Sequence, residues 1–245
     1  MNTPEKPRLS VVIPAYNEAE RIGETLDDLL AYFSAADYAA EIIVVDDGSL
    51  DATADVARER SGGAVPIQVL EYDANRGKGF AVRFGITRAT GEYRLFFDAD
   101  GSTPIDQVEK FWPQFAAGAD ICLGSRALPE SDIVVHQPWY RESMGRVFNL
   151  MVRLLTVSDF HDTQCGFKAF TTRAVEGVFS RQQLVGFGFD VELLYIAQQH
   201  GLRVAEVPVK WINSPSSRVH PIRDAGRMFL ELLKIRWLAG KGVYR

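Results

Sequence analysis

Residues 9–18 of the chain read LSVVIPAYNE. The run from Leu9 to Ile13 is short, apolar and rich in β-branched residues, which is typical of a strand buried on both faces. We expect Pro14 to end this strand and Asn17 to cap the helix that follows. That helix has apolar residues at helical spacing, namely Ile22, Leu26, Leu29, Leu30 and Phe33. A buried strand that leads directly into an amphipathic helix is the first unit expected of an α/β fold.

The same alternation of strand and helix continues through the first hundred residues. Strands are expected at 42–45, 67–70 and 93–97, and helices at 51–60 and 79–89. This alternation predicts βαβ units and a largely parallel sheet. In the less regular second half the pattern indicates helices at 105–117, 141–155 and 188–200, strands at 121–124 and 204–211, and a final helix after a loop at 213–221.

Polar residues follow three of the expected strands at the point where each strand ends. They are Asn17-Glu18, Asp46-Asp47 and Asp98-Ala99-Asp100. In open α/β sheets, ligands bind outside the carboxyl ends of the strands. We therefore predict that these three clusters converge on one cleft.

The composition limits the class of protein. Of the 245 residues, 47% are hydrophobic and 24% are charged, which is typical of a soluble globular protein. The formal net charge of −5 argues against a nucleic acid as partner, since nucleic-acid-binding domains are usually basic. Cys122 and Cys165 have the spacing of neither a zinc site nor a disulfide framework, so we expect both to be small buried residues in a reducing compartment.

The location expected from the sequence is the cytoplasm, or a peripheral position on the cytoplasmic face of a membrane. Residues 1–8 are polar and resemble no secretory leader. The longest apolar stretch, from Phe148 to Val157, is interrupted by Arg153 and is shorter than the roughly 20 residues that a membrane span needs.

The Asp98-Ala99-Asp100 cluster is the chemical centre of the predicted cleft. Two carboxylates one residue apart can both reach one hard cation such as Mg²⁺ or Mn²⁺, and substrate phosphates can fill its other positions. The metal would stabilise a diphosphate leaving group. The alternative is a solvated acidic turn, which fits poorly with acids that emerge directly from Leu95-Phe96-Phe97. Neither a P-loop motif nor a glycine-rich dinucleotide fingerprint is present.

Four segments, VVIPAYNEAERI (11–22), IIVVDDGSLDAT (42–53), NRGKGFAVRFGI (75–86) and FFDADGST (96–103), occur in an order and spacing that resemble the family 2 inverting glycosyltransferases. In the second half GSRAL, DTQCGFKAFT and GFDVELLYIAQ are similar to the branch with dolichyl-phosphate β-glucosyltransferases and polyprenyl-phosphate sugar synthases. The resemblance covers roughly residues 9–238. It implies the GT-A fold, a single α/β domain with a mixed, mostly parallel central sheet flanked by helices.

The resemblance also implies a nucleotide-sugar site within residues 9–103. Its residues would be Pro14, Ala15, Tyr16, Glu18, Asp46, Asp47, Ser49, Gly77, Lys78, Asp98 and Ala99, with Asp98 and Asp100 as the metal ligands and Asp46 on the base. Two alternatives stay open. Asp47 or Ser49 could simply cap the following helix, and Lys78 could be a solvated loop charge.

Residues 104–245 are expected to bind the acceptor. A phosphate acceptor needs cations to hold it, and the predicted set is Arg141, Lys168 and Arg218, with Arg126 and Asp100 acting on the reacting groups. A hydroxyl acceptor would instead need a base, and Asp190 is the candidate. The alternative for Asp190 is a helix N-cap.

The segment 223–245 has the pattern of an amphipathic basic helix, suited either to an anionic membrane surface or to packing on its own domain.

The function implied is transfer of a hexose, with inversion, from a nucleotide sugar to a polyprenyl or dolichyl phosphate, with glucose and UDP-glucose preferred. The alternatives are a soluble or glycan hydroxyl as acceptor, GDP-mannose as donor, and a non-catalytic module that binds nucleotide sugars.

Overall fold

The computed structural model of the protein describes residues 6–135, 145, 149–157, 159–212 and 221–245. The strands in this part of the chain are β1 (Leu9–Ala15), β2 (Ala40–Asp46), β3 (Ile67–Glu71), β4 (Tyr93–Phe97), β5 (Ile121–Ser125), β6 (Asp132–Val135), β7 (Phe167–Thr171), β8 (Val204–Pro208) and β9 (Lys210–Ile212). The α-helices are α1 (Ile22–Ala35), α2 (Thr53–Arg58), α3 (Lys78–Ile86), α4 (Trp112–Ala116), α5 (Thr172–Phe179), α6 (Phe189–Gln199) and α7 (Pro221–Gly240). Residues 149–155 are also helical, and Ile105–Lys110 form a 3₁₀ helix.

The described strands form a seven-stranded sheet with the order β3-β2-β1-β4-β7-β5-β8. Its neighbouring strands run parallel, except that β7 is antiparallel to both β4 and β5. β6 and β9 pair separately as a small parallel ribbon. The predicted fold, a mixed and mostly parallel sheet flanked by helices, is confirmed.

Alternate residues of each central strand face two different cores. On β1, Val12 packs with residues of α3, α5 and α6, whereas Val11 and Ile13 pack with α1 and the 3₁₀ helix on the opposite side. This explains why Val11, Val12 and Ile13 are apolar in succession, since both faces of the strand are covered. Cys122 and Cys165 are free and buried, as predicted.

Two details of the first strand–helix unit differ from the sequence prediction. β1 continues through Pro14 to Ala15, because β1 pairs with β4 only as far as Val12, and the missing N–H of Pro14 therefore breaks no ladder bond. Asn17 does not cap α1, which begins after Arg21 without a side-chain cap. Asn17 instead adopts a positive φ of 55°, and its side-chain oxygen accepts a hydrogen bond from the Leu50 N–H at 2.7 Å.

The second half departs further from the sequence pattern. The helix predicted at 105–117 is split into the 3₁₀ helix and α4, since Pro113 has no N–H to continue an α-helical ladder. The strand predicted at 204–211 is two strands in different sheets. β6, β7 and α5 were not predicted. Of the predicted helix at 141–155, residues 145 and 149–155 are described and are helical, whereas residues 213–220 of the predicted loop lie outside the described residues.

Candidate active site

One cleft brings the predicted strand-end clusters together. It opens at the carboxyl ends of β1 and β4, beside the first turn of α3, and has a volume of about 260 Å³. The residues that line it are Pro14, Ala15, Tyr16, Glu18, Arg21, Asp47, Lys78, Asp98, Ala99, Asp100 and Phe187. The predicted convergence on a single cleft is confirmed. Arg21 and Phe187 were not predicted, although Arg21 belongs to the PAYNEAER segment that signalled the site.

The Asp98-Ala99-Asp100 turn is held in place from three sides. The Asp98 N–H donates to the Gly166 carbonyl at 3.0 Å, and the Ala99 carbonyl accepts from the Thr25 hydroxyl at 2.8 Å. Asp100 accepts the Ser102 N–H at 3.0 Å. Burial and the neighbouring Asp98 charge together raise the pKa of Asp100. A further cation bound to the two carboxylates would offset this repulsion between them.

The donor set fits a divalent cation that is shared with a ligand. Among the described residues, no group of three histidine, cysteine or acidic side chains lies together to hold a metal by itself. Asp98 and Asp100 supply hard carboxylate oxygens, and phosphate oxygens of a bound ligand would complete the coordination. The Asp98 carboxylate already accepts a cation, because the Lys78 ammonium lies 2.8 Å from its Oδ1 atom.

Close packing fixes the Asp98 carboxylate over the backbone of Gly166. A Cβ atom built on Gly166 would lie 1.9 Å from the Asp98 Oδ2 atom. Only a residue without a side chain leaves room for the carboxylate at this point of the DTQCG segment.

Glu18 and Arg21 form one wall of the cleft. The Glu18 carboxylate receives two hydrogen bonds from the Arg21 guanidinium, Nε to Oε2 and a second nitrogen to Oε1 at 2.8 Å. The negative charges of Asp98 and Asp100 also attract Arg21. Tyr16 keeps 38% of its surface exposed at the same wall, where a flat ring could stack on a ligand.

Asp46, Asp47 and Ser49 organise the turn after β2, and none of them caps α2. That helix begins after Ala52 without a side-chain cap. Asp46 accepts the Ser49 N–H at 2.8 Å, and the Ser49 hydroxyl accepts the Asn17 N–H at 2.9 Å. The alternative of a simple helix cap is therefore wrong, and the turn connects the ends of β1 and β2.

Asp47 in addition holds the loop that precedes α3. Its carboxylate accepts the Tyr72 hydroxyl at 2.7 Å, the Asn75 side-chain amide at 3.0 Å, the Arg76 N–H at 2.7 Å and the Gly77 N–H at 2.9 Å. This buried carboxylate therefore places the start of α3 at the edge of the cleft.

Gly77 and Lys78 stand where that loop enters α3. Gly77 has a φ of 98°, and a Cβ atom there would lie 2.5 Å from the Val185 carbonyl, so the position requires glycine. Lys78 points into the cleft and pairs with Asp98. The alternative of a solvated loop charge is wrong.

Lys168 and Asp190 form a buried ion pair beneath the cleft. The Lys168 ammonium is fully buried and donates to the Asp190 Oδ1 atom and to the Cys165 carbonyl, both at 2.5 Å. The predicted role of Lys168 in holding an acceptor phosphate does not fit this position, because no acceptor can reach it. Asp190 is no N-cap either, since Gly188 occupies that position and the Asp190 carboxylate turns to Lys168.

Arg126 stands at the end of β5 and is held by Asp162. The Asp162 carboxylate accepts from Nε of Arg126 at 2.6 Å and from a terminal nitrogen at 2.9 Å. Burial alone would raise the pKa of Asp162, but the Arg126 charge and hydrogen bonds lower it to about 2. Asp162 was not predicted as a site residue. Arg141 and Arg218, the other predicted phosphate ligands, lie outside the described residues.

Comparison with known proteins gives a family match. A model of the family described as "Glycosyl transferase family 2" matches residues 10–179. Proteins named dolichyl-phosphate beta-glucosyltransferase from Drosophila melanogaster and Homo sapiens are each 38% identical to this chain, over 95% of this chain and 76% of theirs. The Saccharomyces cerevisiae protein of that name is 32% identical over 97% of this chain and 76% of its own length.

Solved structures share the fold. Mannosyl-3-phosphoglycerate synthase from Rubrobacter xylanophilus superposes with a TM-score of 0.71 at 21% identity, covering 97% of this chain and 76% of that one. Glucosyl-3-phosphoglycerate synthase from Mycobacterium tuberculosis was crystallised with Mn²⁺, UDP and glucosyl-3-phosphoglycerate. It has a TM-score of 0.66 at 20% identity, covering 95% of this chain and 79% of that one.

Proposed function

The chain belongs to glycosyltransferase family 2, and we propose on that premise that it transfers glucose, with inversion, from UDP-glucose to the phosphate of a dolichyl or other polyprenyl lipid. The observation that carries this proposal is the cleft in which Asp98, Asp100 and Lys78 meet at the strand ends. The relatives named dolichyl-phosphate beta-glucosyltransferase support the choice of glucose and of a lipid phosphate. As a glycosyltransferase the chain is an enzyme, so a purely binding module is excluded.

The donor half of the cleft would bind UDP-glucose. We assign the wall of Pro14, Tyr16 and Glu18 to the nucleoside, and Asp98 and Asp100 to a divalent cation. Mg²⁺ or Mn²⁺ bound there would neutralise the diphosphate and make UDP a better leaving group. The Mycobacterium tuberculosis enzyme crystallised with Mn²⁺ and UDP supports this assignment.

The acceptor chemistry follows from the state of Asp190. A hydroxyl acceptor needs a base within hydrogen-bonding reach of its proton. Asp190, the predicted base, is 2% exposed and is paired with Lys168. A phosphate monoester has a second pKa of about 6 and is mostly dianionic at neutral pH, so it needs no strong base. The geometry therefore favours a phosphate acceptor.

The reaction is one displacement at the anomeric carbon. An oxygen of the acceptor phosphate forms the new bond on one face of the sugar while the bond to the UDP diphosphate breaks on the other, and UDP leaves with the electron pair. Configuration is inverted. The test is transfer of labelled glucose from UDP-glucose to polyprenyl phosphate, followed as label that moves into an organic solvent.

Helix α7 supports attachment to a membrane surface. One face packs on the domain through Leu232, Ile235 and Leu238. Packing on its own domain was one of the two alternatives predicted for this segment. The opposite face exposes Leu230, Leu233 and Trp237, at helical spacing. This apolar stripe is flanked by exposed cations, namely Arg227, Lys234, Arg236 and Lys241. In the part of the chain that is described, no helix is long and apolar enough to cross a membrane.

The same helix lies beside the cleft. Glu231 on α7 accepts the Gly188 N–H at 2.7 Å, and the neighbouring Phe187 lines the cleft. A membrane surface against the outward face of α7 would therefore bring a lipid phosphate to the edge of the donor site. We propose peripheral binding of this kind, with the cytoplasmic face as the expected side.

A triple variant tests the membrane face. Replacing Leu230, Leu233 and Trp237 by Ser should lower binding to vesicles that contain anionic lipid by at least about tenfold, since the apolar contacts are lost. Co-sedimentation with vesicles measures this, and added salt should weaken wild-type binding. The control is Leu50→Ser, because Leu50 is 89% exposed and lies on another surface. Unchanged binding of the triple variant would contradict the assignment.

A further inference from the structure

The ammonium group of Lys78 forms an ion pair with Asp98, the carboxylate that would bind a divalent cation in the proposed function. It lies 2.8 Å from the Asp98 Oδ1 atom. The backbone at this point is fixed, because Gly77 is held by Asp47 and the Gly79 N–H donates to the Val185 carbonyl at 2.9 Å. The side chain beyond it is a flexible four-carbon stem. Lys78 can therefore move its charge while its backbone stays in place.

The surroundings explain why a lysine is held there. Asp98, Asp190 and Asp100 all attract the Lys78 ammonium, with Asp98 contributing most. Asp190 is already neutralised by Lys168 at 2.5 Å. Lys78 therefore serves as counter-ion to the remaining two carboxylates, Asp98 and Asp100.

A second contact keeps Lys78 on the floor of the cleft. Its ammonium lies 5.1 Å from the centre of the Phe96 ring and 6.0 Å from that of Phe187. Both distances suit a cation–π attraction. Phe187 and Lys78 both line the cleft, so the ammonium lies between the protein interior and the cleft.

We propose that Lys78 is an internal counter-ion of Asp98 before ligands bind and transfers to the donor diphosphate when a divalent cation binds Asp98. The proposal rests on the proposed function, because it requires a nucleotide diphosphate and a metal in this cleft. The Lys78 ammonium and a metal ion on the same Asp98 carboxylate would repel each other, since Lys78 contacts Oδ1 and the second oxygen, Oδ2, packs over Gly166. A metal ion that binds without nucleotide would displace the Lys78 ammonium from Asp98 and leave it with no new anionic partner. A metal ion that binds together with the diphosphate would supply that partner, because Lys78 could then pair with a phosphate oxygen.

The consequence is positive coupling between metal and nucleotide. Lys78 weakens binding of the metal alone and strengthens binding of the nucleotide, and by linkage each ligand then favours the other. The cleft would thus fill with a metal–nucleotide complex rather than with either component.

Substitution of Lys78 separates the two effects. Lys78→Met should bind Mn²⁺ about fivefold more tightly in the absence of nucleotide, because the competing cation is gone. The same variant should bind UDP about tenfold more weakly at saturating Mn²⁺, because a charge-assisted contact to the diphosphate is lost. Free Mn²⁺ measured by electron paramagnetic resonance gives the first affinity, and calorimetry gives the second.

Two further variants complete the test. Lys110→Met removes an exposed lysine outside the cleft and should change neither affinity. Lys78→Arg keeps the charge, so both affinities should return toward the wild-type values. Damage to the cleft would weaken both ligands together, so a Lys78→Met variant that loses affinity for both, or for neither, would overturn the role of Lys78. A wild-type protein that binds neither Mn²⁺ nor UDP would overturn the proposed function itself.

Discussion

Replacement of Asp100 by Asn is expected to lower kcat/KM for sugar transfer at least about 100-fold while the protein stays folded. The amide keeps the shape of the side chain, and its oxygen can still accept the Ser102 N–H. It removes the negative charge that a divalent cation needs. The fold should tolerate the change, because burial and the Asp98 charge already disfavour the ionised form of Asp100. Initial rates and the thermal midpoint measure the two effects.

A pair of glycine variants tests the same site by steric means. Gly166→Ala places a methyl group where the Asp98 carboxylate lies, so metal-dependent UDP binding should be lost. Gly177→Ala is the matched control, since its methyl group would meet only Leu202 Cδ1 at 3.6 Å, an ordinary contact. Near wild-type turnover by Asp100→Asn at saturating Mg²⁺ or Mn²⁺ would rule out this turn as the metal site.

Asp190→Asn should destabilise the protein by about 3 kcal/mol or more, because it leaves the fully buried Lys168 ammonium without a counter-ion. For a chain of this length, that loss corresponds to a fall of roughly 10 °C in the thermal midpoint. Denaturant unfolding measures the free energy directly. Asp190 is therefore a poor single test of base catalysis, since lost activity could follow from lost stability.

A double variant separates the two roles of Asp190. Lys168→Met combined with Asp190→Leu removes both charges, so it should be clearly more stable than the sum of the single changes predicts. If the folded double variant still transfers glucose to polyprenyl phosphate, Asp190 is not the base. A double variant that is stable and completely inactive, beside an active and stable Lys168→Met, would instead support Asp190 as the base and a hydroxyl acceptor.

The sequence predicted the strands and the cleft of the first half of the chain well because the signals for them are local. The buried strands contain continuous apolar runs, such as Ile42–Val45, and the acids that follow them must lie at the carboxyl edge of a parallel sheet. The convergence of Asp47 and Asp98 on one cleft follows from strand direction alone. No long-range contact had to be known.

The second half was harder because its decisive contacts join distant segments. β7 contains Lys168 within an apolar run and is antiparallel to its neighbours, so neither alternation nor a βαβ pattern marks it. The partner of Lys168 is Asp190, 22 positions away on α6. A lysine in the CGFK segment looks like a ligand for phosphate until that pairing is known. Arg126 and Asp162 are likewise 36 positions apart.

A comparison of two matched lipid acceptors distinguishes a phosphate acceptor from a hydroxyl acceptor. The protein is incubated with Mg²⁺, UDP-glucose that is radiolabelled in the glucose, and one of two acceptors. The acceptors are a polyprenyl phosphate and the free polyprenol of the same chain length. Radioactivity in the organic phase is then counted. We expect label with the polyprenyl phosphate and none above background with the polyprenol, because Asp190 is paired with Lys168 and is no free base, whereas a phosphate dianion needs no base. Label with the polyprenol as acceptor, or transfer only to water-soluble sugars while polyprenyl phosphate stays unlabelled, would contradict a lipid phosphate as the acceptor.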